Sequence, residues 1–258
     1  MRGLVSGLLD LLLPPCCAGC GRAAPEPLCP RCRATLPWIP VDACVGCQAR
    51  PPRAGESLCG ACQQRPSALD ACLAACWFEA TAADWIRGYK YARTGFRNGS
   101  DRARISALAH ELARRTPPEL PDRVIPIPLH PSRLRARGFN PAGGLARALA
   151  REHGVRCAPT ALRRVRATRS QTGLGRAERA RNVRDAFRAA GPVPARVWLV
   201  DDVVTTGATL EAAARALCRA GARSVVALCA ARTPLRELAP RASPGRARAI
   251  PAFPPSPR

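Results

Sequence analysis

The chain has 258 residues and carries 41 Lys+Arg against 18 Asp+Glu, a formal net charge of +23. That length holds one core of domain size plus a smaller module, and no apolar stretch is long enough for a helix to span a bilayer. The basic balance favours phosphate-rich partners such as nucleotides and nucleic acid without saying which one.

Leu4 to Leu13 is apolar but interrupted by Asp10, and Pro14-Pro15 follows. This reads as a short amphipathic helix rather than an export signal, so a cytoplasmic location with reduced thiols is expected. Eight of the fourteen cysteines then fall in four CxxC pairs: Cys17/Cys20, Cys29/Cys32, Cys44/Cys47 and Cys59/Cys62. Two residues between cysteines let both thiolates and the intervening N–H groups wrap one tetrahedral ion, and two such knuckles close a four-cysteine site. One or two structural Zn2+ ions are expected. Sequential pairing joins 17/20/29/32 and 44/47/59/62; crossed pairing, or Cys16 in place of Cys17, stays open on spacing alone. All the ligands are thiolates, which leaves no coordination position for water or substrate. Metal binding would supply much of the folding free energy of residues 1–65, and removing it is expected to unfold that stretch and leave the rest folded. The remaining cysteines read as small core hydrophobes.

Residues 65–70 look like the join to a second unit, residues 66–232. Ala71–Phe78 reads as a strand, Ala82 to about Tyr91 as a helix, and Arg104–Arg115 as another, ended by Pro117-Pro118. Arg123–Leu129 reads as a strand whose prolines suit an edge position. His130–Asn140 reads as a basic loop in which Arg137, with Arg133 and Arg135, suits a pyrophosphate, because guanidinium forks match phosphate oxygens in pairs. No chemistry is assigned to His130. Pro141–Arg151 reads as a helix. Residues 165–179 form a polar, Gly-containing stretch that could close over a bound diphosphate, and Arg176–Arg184 has helical character. The Pro-, Ala- and Arg-rich residues 233–258 are expected to be a disordered tail.

Val197–Thr209 (VWLVDDVVTTGAT) is the most informative segment. An apolar strand ends in two carboxylates, and a small hydroxyl-rich turn leads into a helical pattern with Leu210, Ala213, Ala214 and Leu217 on one face. Gly221 suits its C-terminal cap, and Ser224–Ala231 reads as the next buried strand. Asp201 and Asp202 can accept hydrogen bonds from ribose hydroxyls, and the turn can offer N–H groups at the positive end of a helix dipole to a phosphate.

This segment resembles the PRPP-binding signature of the type I phosphoribosyltransferases. The resemblance implies ribose binding by Asp201 and Asp202, which are also the expected catalytic residues. It implies 5′-phosphate binding by Thr205, Thr206, Gly207, Ala208 and Thr209. IPIPLHPSRLRARGFNPAG, RSQTGLGRAERARNVRDAF and VWLVDDVVTTGAT, in that order behind a cysteine-rich start that includes LLDLLLPPCCAGCG, are similar to the ComF family, also labelled competence protein F; Gly88-Tyr89-Lys90-Tyr91 adds to the likeness. The expected fold is therefore α/β: a mostly parallel sheet of about five strands with flanking helices, of type I phosphoribosyltransferase-like form, preceded by a small, single or double, zinc-ribbon module. The resemblance implies PRPP or a ribose-5-phosphate-type ligand with Mg2+, and a role in DNA uptake during natural transformation, with single-stranded DNA and other competence proteins as partners. Two readings stay open: a phosphoribosyltransferase acting on PRPP, and a non-catalytic DNA- or protein-binding factor that retains the pocket.

Overall fold

The computed structural model describes residues 15–91, 99–167 and 176–234. The chain opens with two cysteine knuckle pairs, each ending in a short helix: α1 (Pro30–Ala34) and α2 (Gly60–Gln63). Four strands follow in one parallel sheet, ordered β1 (Ala71–Trp77), β6 (Ser224–Arg232), β5 (Arg196–Val204) and β2 (Arg123–Pro126). All three pairings are parallel.

The two central strands read as buried because they are. Val197 to Val200 and Val225 to Arg232 have little or no contact with solvent. Alternate side chains of β5 enter opposite cores: Trp198 and Val200 one, Val197 and Leu199 the other. The first core is closed by α3 (Ala80–Tyr91), α4 (Gly99–Ala113) and α6 (Pro141–Glu152), through Ile86, Leu108, Leu112, Leu145 and Leu149. The second is closed by α8 (Ala208–Arg219), through Leu210, Ala213 and Leu217. Fully burying a side chain of the Leu or Val class contributes about 1.5–3 kcal/mol, so the two cores dominate stability.

The expected sheet of about five strands has four among the described residues, with a parallel bridge from Val124 to Cys157 beyond β2. β2 lies at the edge, as its prolines require. A separate antiparallel pair, β3 (Leu162–Arg164) with β4 (Phe187–Ala189), had no sequence signal; three residues are too few to show a period. The basic stretch read as a loop is instead the helix α5 (Pro131–Arg137). Pro131 opens it, the His130 ring accepts a bond from the Ser132 N–H, and Gly138 (φ 77°) closes it by donating to Leu134 O at 2.8 Å. With Leu134 its one large apolar residue, it shows no amphipathic period. Helical character over 176–184 appears as α7 (Arg176–Val183). The supposed lid falls partly, and the tail almost wholly, outside the described residues.

The ribbon module is not a separate body. Cys17, Leu28 and Leu36 share a core with Trp85 and Leu108. Arg33 pairs with the buried Glu111 of α4, and the guanidiniums of Arg33 and Arg115 lie 5.7 and 5.5 Å from the Trp38 ring centre. Residues 37–45 also cover the open edge of β1: Trp77 N–H donates to Pro37 O, Ile39 N–H to Ala75 O and Cys72 N–H to Val45 O. An exposed parallel edge would offer unpaired backbone groups; here the ribbon satisfies them. The expectation that residues 1–65 unfold alone therefore changes, because their loss strips one edge and part of one core from the sheet.

Candidate functional site

The ends of β5 and β6, the turn after β5 and three neighbouring elements enclose a cleft of about 450 Å3. Asp201 and Asp202 sit at its floor, and Thr205, Gly207, Ala208 and Thr209 form one wall. Gly207 adopts φ 77°, a left-handed conformation that a Cβ disfavours, and so starts α8 within the turn. The first N–H groups of this twelve-residue helix have no intrahelical acceptor. Thr206 does not line the cleft; its hydroxyl accepts a long bond from Ala208 N–H, 3.4 Å, and shapes the turn.

Arg137 lines the opposite side, its guanidinium 5.6 Å from the Tyr91 ring centre. Arg133 joins it and Arg135 does not. Three residues of the RGFN stretch account for this placement. Gly138 turns the chain, Phe139 packs edge-on against Tyr89 at 5.3 Å, and the Asn140 amide donates to Ile127 O at the end of β2.

Two cleft residues were not assigned from sequence. Lys90 reaches from α3 to pair with Asp202, 2.9 Å from Nζ to Oδ1. It is the only lysine in the chain, which was a usable signal. Arg164 comes from β3, and nothing local marks it. The cleft thus sets four cations, Lys90, Arg133, Arg137 and Arg164, against two carboxylates. Burial, with Asp202 beside it, pushes the Asp201 carboxyl up to about 7, and Lys90 opposes the rise. Burial and the neighbouring Arg133 lower Arg164. Such opposed, desolvated charges are what a site for a polyanionic ligand with hydroxyl groups requires.

The eight knuckle cysteines form two sets, Cys17/Cys20/Cys29/Cys32 and Cys44/Cys47/Cys59/Cys62, the ligand atoms within each lying within 4.8 Å of one another. Spacing alone left the pairing open; it is sequential. Tetrahedral Zn–S bonds of about 2.3 Å put sulfurs about 3.8 Å apart, and Cys20–Cys29 and Cys47–Cys59 are 3.9 and 3.7 Å apart. Backbone N–H groups of Cys29 and Cys59 point at Cys17 and Cys44 Sγ, at 3.3 and 3.2 Å. The donor sets fit structural zinc. Cys16 is exposed and outside the cluster, so Cys17 is the ligand. Of the others, Cys72, Cys76 and Cys229 are buried as expected, Cys157 partly so; Cys218 is exposed, on the outer face of α8.

Two family profiles match the chain. A double zinc ribbon domain matches residues 8–63, and a phosphoribosyl transferase domain matches residues 134–253. DNA utilization protein YhgH of Escherichia coli O6:H1 is 44% identical over 123 residues, 47% of this chain and 54% of the relative. Competence protein F of Haemophilus influenzae is 37% identical over 128 residues, 48% and 56% of the two chains. Competence protein ComFC of Streptococcus pneumoniae is 34% identical over 104 residues, 40% and 44%. The chain spans about half the length of the curated relatives it matches. The chain thus matches a double zinc ribbon ahead of a phosphoribosyl transferase domain and is similar, over about half its length, to proteins named for DNA utilization and competence.

Proposed function

We propose that the cleft binds PRPP or a related ribose 5-phosphate. The convergence at one strand end of an acid pair, a helix-starting turn and four cations carries this reading. Asp201 and Asp202 accept bonds from the ribose 2′- and 3′-hydroxyls. The N–H groups and hydroxyls of residues 205–209 hold the 5′-phosphate at the start of α8, with Thr206 acting through the shape of the turn. Arg133, Arg137 and Arg164 meet the diphosphate. Two carboxylates beside a diphosphate subsite are a suitable donor set for Mg2+; Asp201 and Asp202 would hold it, and it would neutralise phosphate charge. Loss of diphosphate leaves positive charge on C1 of the ribose, which the carboxylates offset from below. Lys90 keeps Asp202 placed until ligand hydroxyls take over its oxygens. The names of the relatives support a place for the chain in DNA uptake or DNA use, with the ribbon module covering the sheet edge.

Calorimetry with PRPP and Mg2+ on the native chain and on Asp201→Asn/Asp202→Asn tests the pocket. Native binding that the double variant weakens at least tenfold supports it; no native binding refutes it. Pyrophosphate release with a panel of bases separates turnover from binding alone.

A further inference from the structure

A second cavity, of about 770 Å3, opens beside α4 and α6. It shares no lining residue with the cleft that holds Asp201 and Asp202. Arg102 of α4 and Arg147 and Arg151 of α6 line it, and no carboxylate does. None of these three arginines has a carboxylate partner among the described residues. Tyr89 also lines it and is 3% exposed. Its hydroxyl lies so near the Gly144 backbone that a Cβ there would be 2.0 Å away. That hydroxyl makes no hydrogen bond among the described residues, and it is not sealed from solvent. A buried phenol ordinarily finds a partner, so this one is open to a ligand in the cavity. Ser106 adds a second hydroxyl, and Ile105 and Ala148 add an apolar wall.

We propose that this cavity is a second binding site, for an organic phosphate of mononucleotide size. The three guanidiniums take the phosphate, the apolar wall takes the ring, and the Tyr89 hydroxyl bonds a polar group on the ligand. The volume falls within the usual range of small-molecule sites, about 300–1,000 Å3. A deep hydroxyl in a recess selects a compact ligand over an extended strand. Lys90, the next residue along α3, belongs to the other cleft, so the helix presents one residue to each site.

Calorimetry on the zinc-loaded full chain uses AMP, GMP, CMP and UMP in turn, with inorganic phosphate and a short single-stranded oligonucleotide as the other probes. At least one mononucleotide is expected to bind. Arg147→Glu/Arg151→Glu, two exposed positions, should weaken it at least tenfold at an unchanged melting temperature. Tyr89→Phe should weaken it about three- to tenfold by removing one hydrogen bond. Asp201→Asn/Asp202→Asn should leave it within about twofold, which separates this site from the ribose-phosphate cleft. Four outcomes overturn the proposal: no mononucleotide binds, only the acid-pair variant loses binding, inorganic phosphate binds as tightly as the nucleotides, or the oligonucleotide alone binds.

Discussion

Asp201→Asn should stabilise the protein while it damages the pocket. Asp201 lies deep in the cleft beside Asp202, and its carboxyl titrates near 7 instead of 3.8. Each tenfold change in proton affinity is worth about 1.4 kcal/mol, so the ionised side chain costs the native state at most about 4 kcal/mol at pH 8. Water entering the cleft relieves part of this, and about 1–2 kcal/mol is the realistic share. Asparagine has nearly the same shape, and its Oδ1 can still accept the bond from Asp202 N–H now made at 2.9 Å. It removes only the charge.

The sign follows from proton counting. Between about pH 4 and 7 the folded state holds a proton that the unfolded chain has released, so native stability falls as pH rises through that window and the penalty is complete above 7. The asparagine variant escapes the penalty. Thermal unfolding at fixed zinc should therefore show the variant about 2–8 °C above the native chain at pH 8.5, at roughly 2–4 °C per kcal/mol for a chain of this size. At pH 5.5, midway through the window, about half of that difference should remain, and it should close near pH 4, where both folded and unfolded chains hold the proton. Equal melting at pH 8.5, or a gain that persists unchanged at pH 5.5, would show that Asp201 carries no buried-charge penalty. Stabilisation bought with binding is the expected signature of a functional carboxylate.

Three further outcomes are expected. Lys90→Met removes the cation that holds Asp201 down, so the pH midpoint for PRPP binding, which needs the ionised carboxylate, should move upward; an unchanged or lowered midpoint in calorimetric pH titrations would count against the Lys90–Asp202–Asp201 coupling. Gln48→Leu should destabilise by about 3–5 kcal/mol, because the buried Gln48 amide bonds both Ala74 N–H and C=O at 2.8 and 3.1 Å and accepts from Arg232 Nε at 3.1 Å; denaturant unfolding of the variant measures it, and a loss under about 1 kcal/mol would contradict the stitching role. Chelation of zinc should lower the unfolding temperature of the whole chain, since Cys17, Leu28 and Leu36 pack with Trp85 and Leu108; a sheet that melts at the same temperature after zinc removal would show that the ribbon module is separable.

What the sequence disclosed and what it withheld differ by the range of the interactions involved. Val197–Thr209 was legible because its strand, turn and helix are each fixed by neighbours in the chain. The CxxC spacing was legible because two knuckles suffice to wrap an ion; which knuckles pair was not, since that depends on how the segment folds back. Lys90 and Arg164 reach the cleft from α3 and β3, and no local period records a side chain's partner across the fold. The same holds for Gln48. Its backbone closes a turn at φ 54°, with the N–H bonded to Cys44 O, and its side-chain amide pairs with Ala74 as a strand backbone would. Arg232, also buried, then takes the Gln48 oxygen, Gly46 O and the Cys72 carbonyl, with no carboxylate partner among the described residues. Its own carbonyl accepts from Phe78 N–H and the next residue, Thr233, donates to Val204 O; Phe78, Thr233 and Val204 all line the cleft that holds Asp201 and Asp202. A guanidinium buried this deeply is costly unless every donor is used, so the second zinc knuckle, the sheet edge and the rim of the cleft must be assembled together for any of them to be stable.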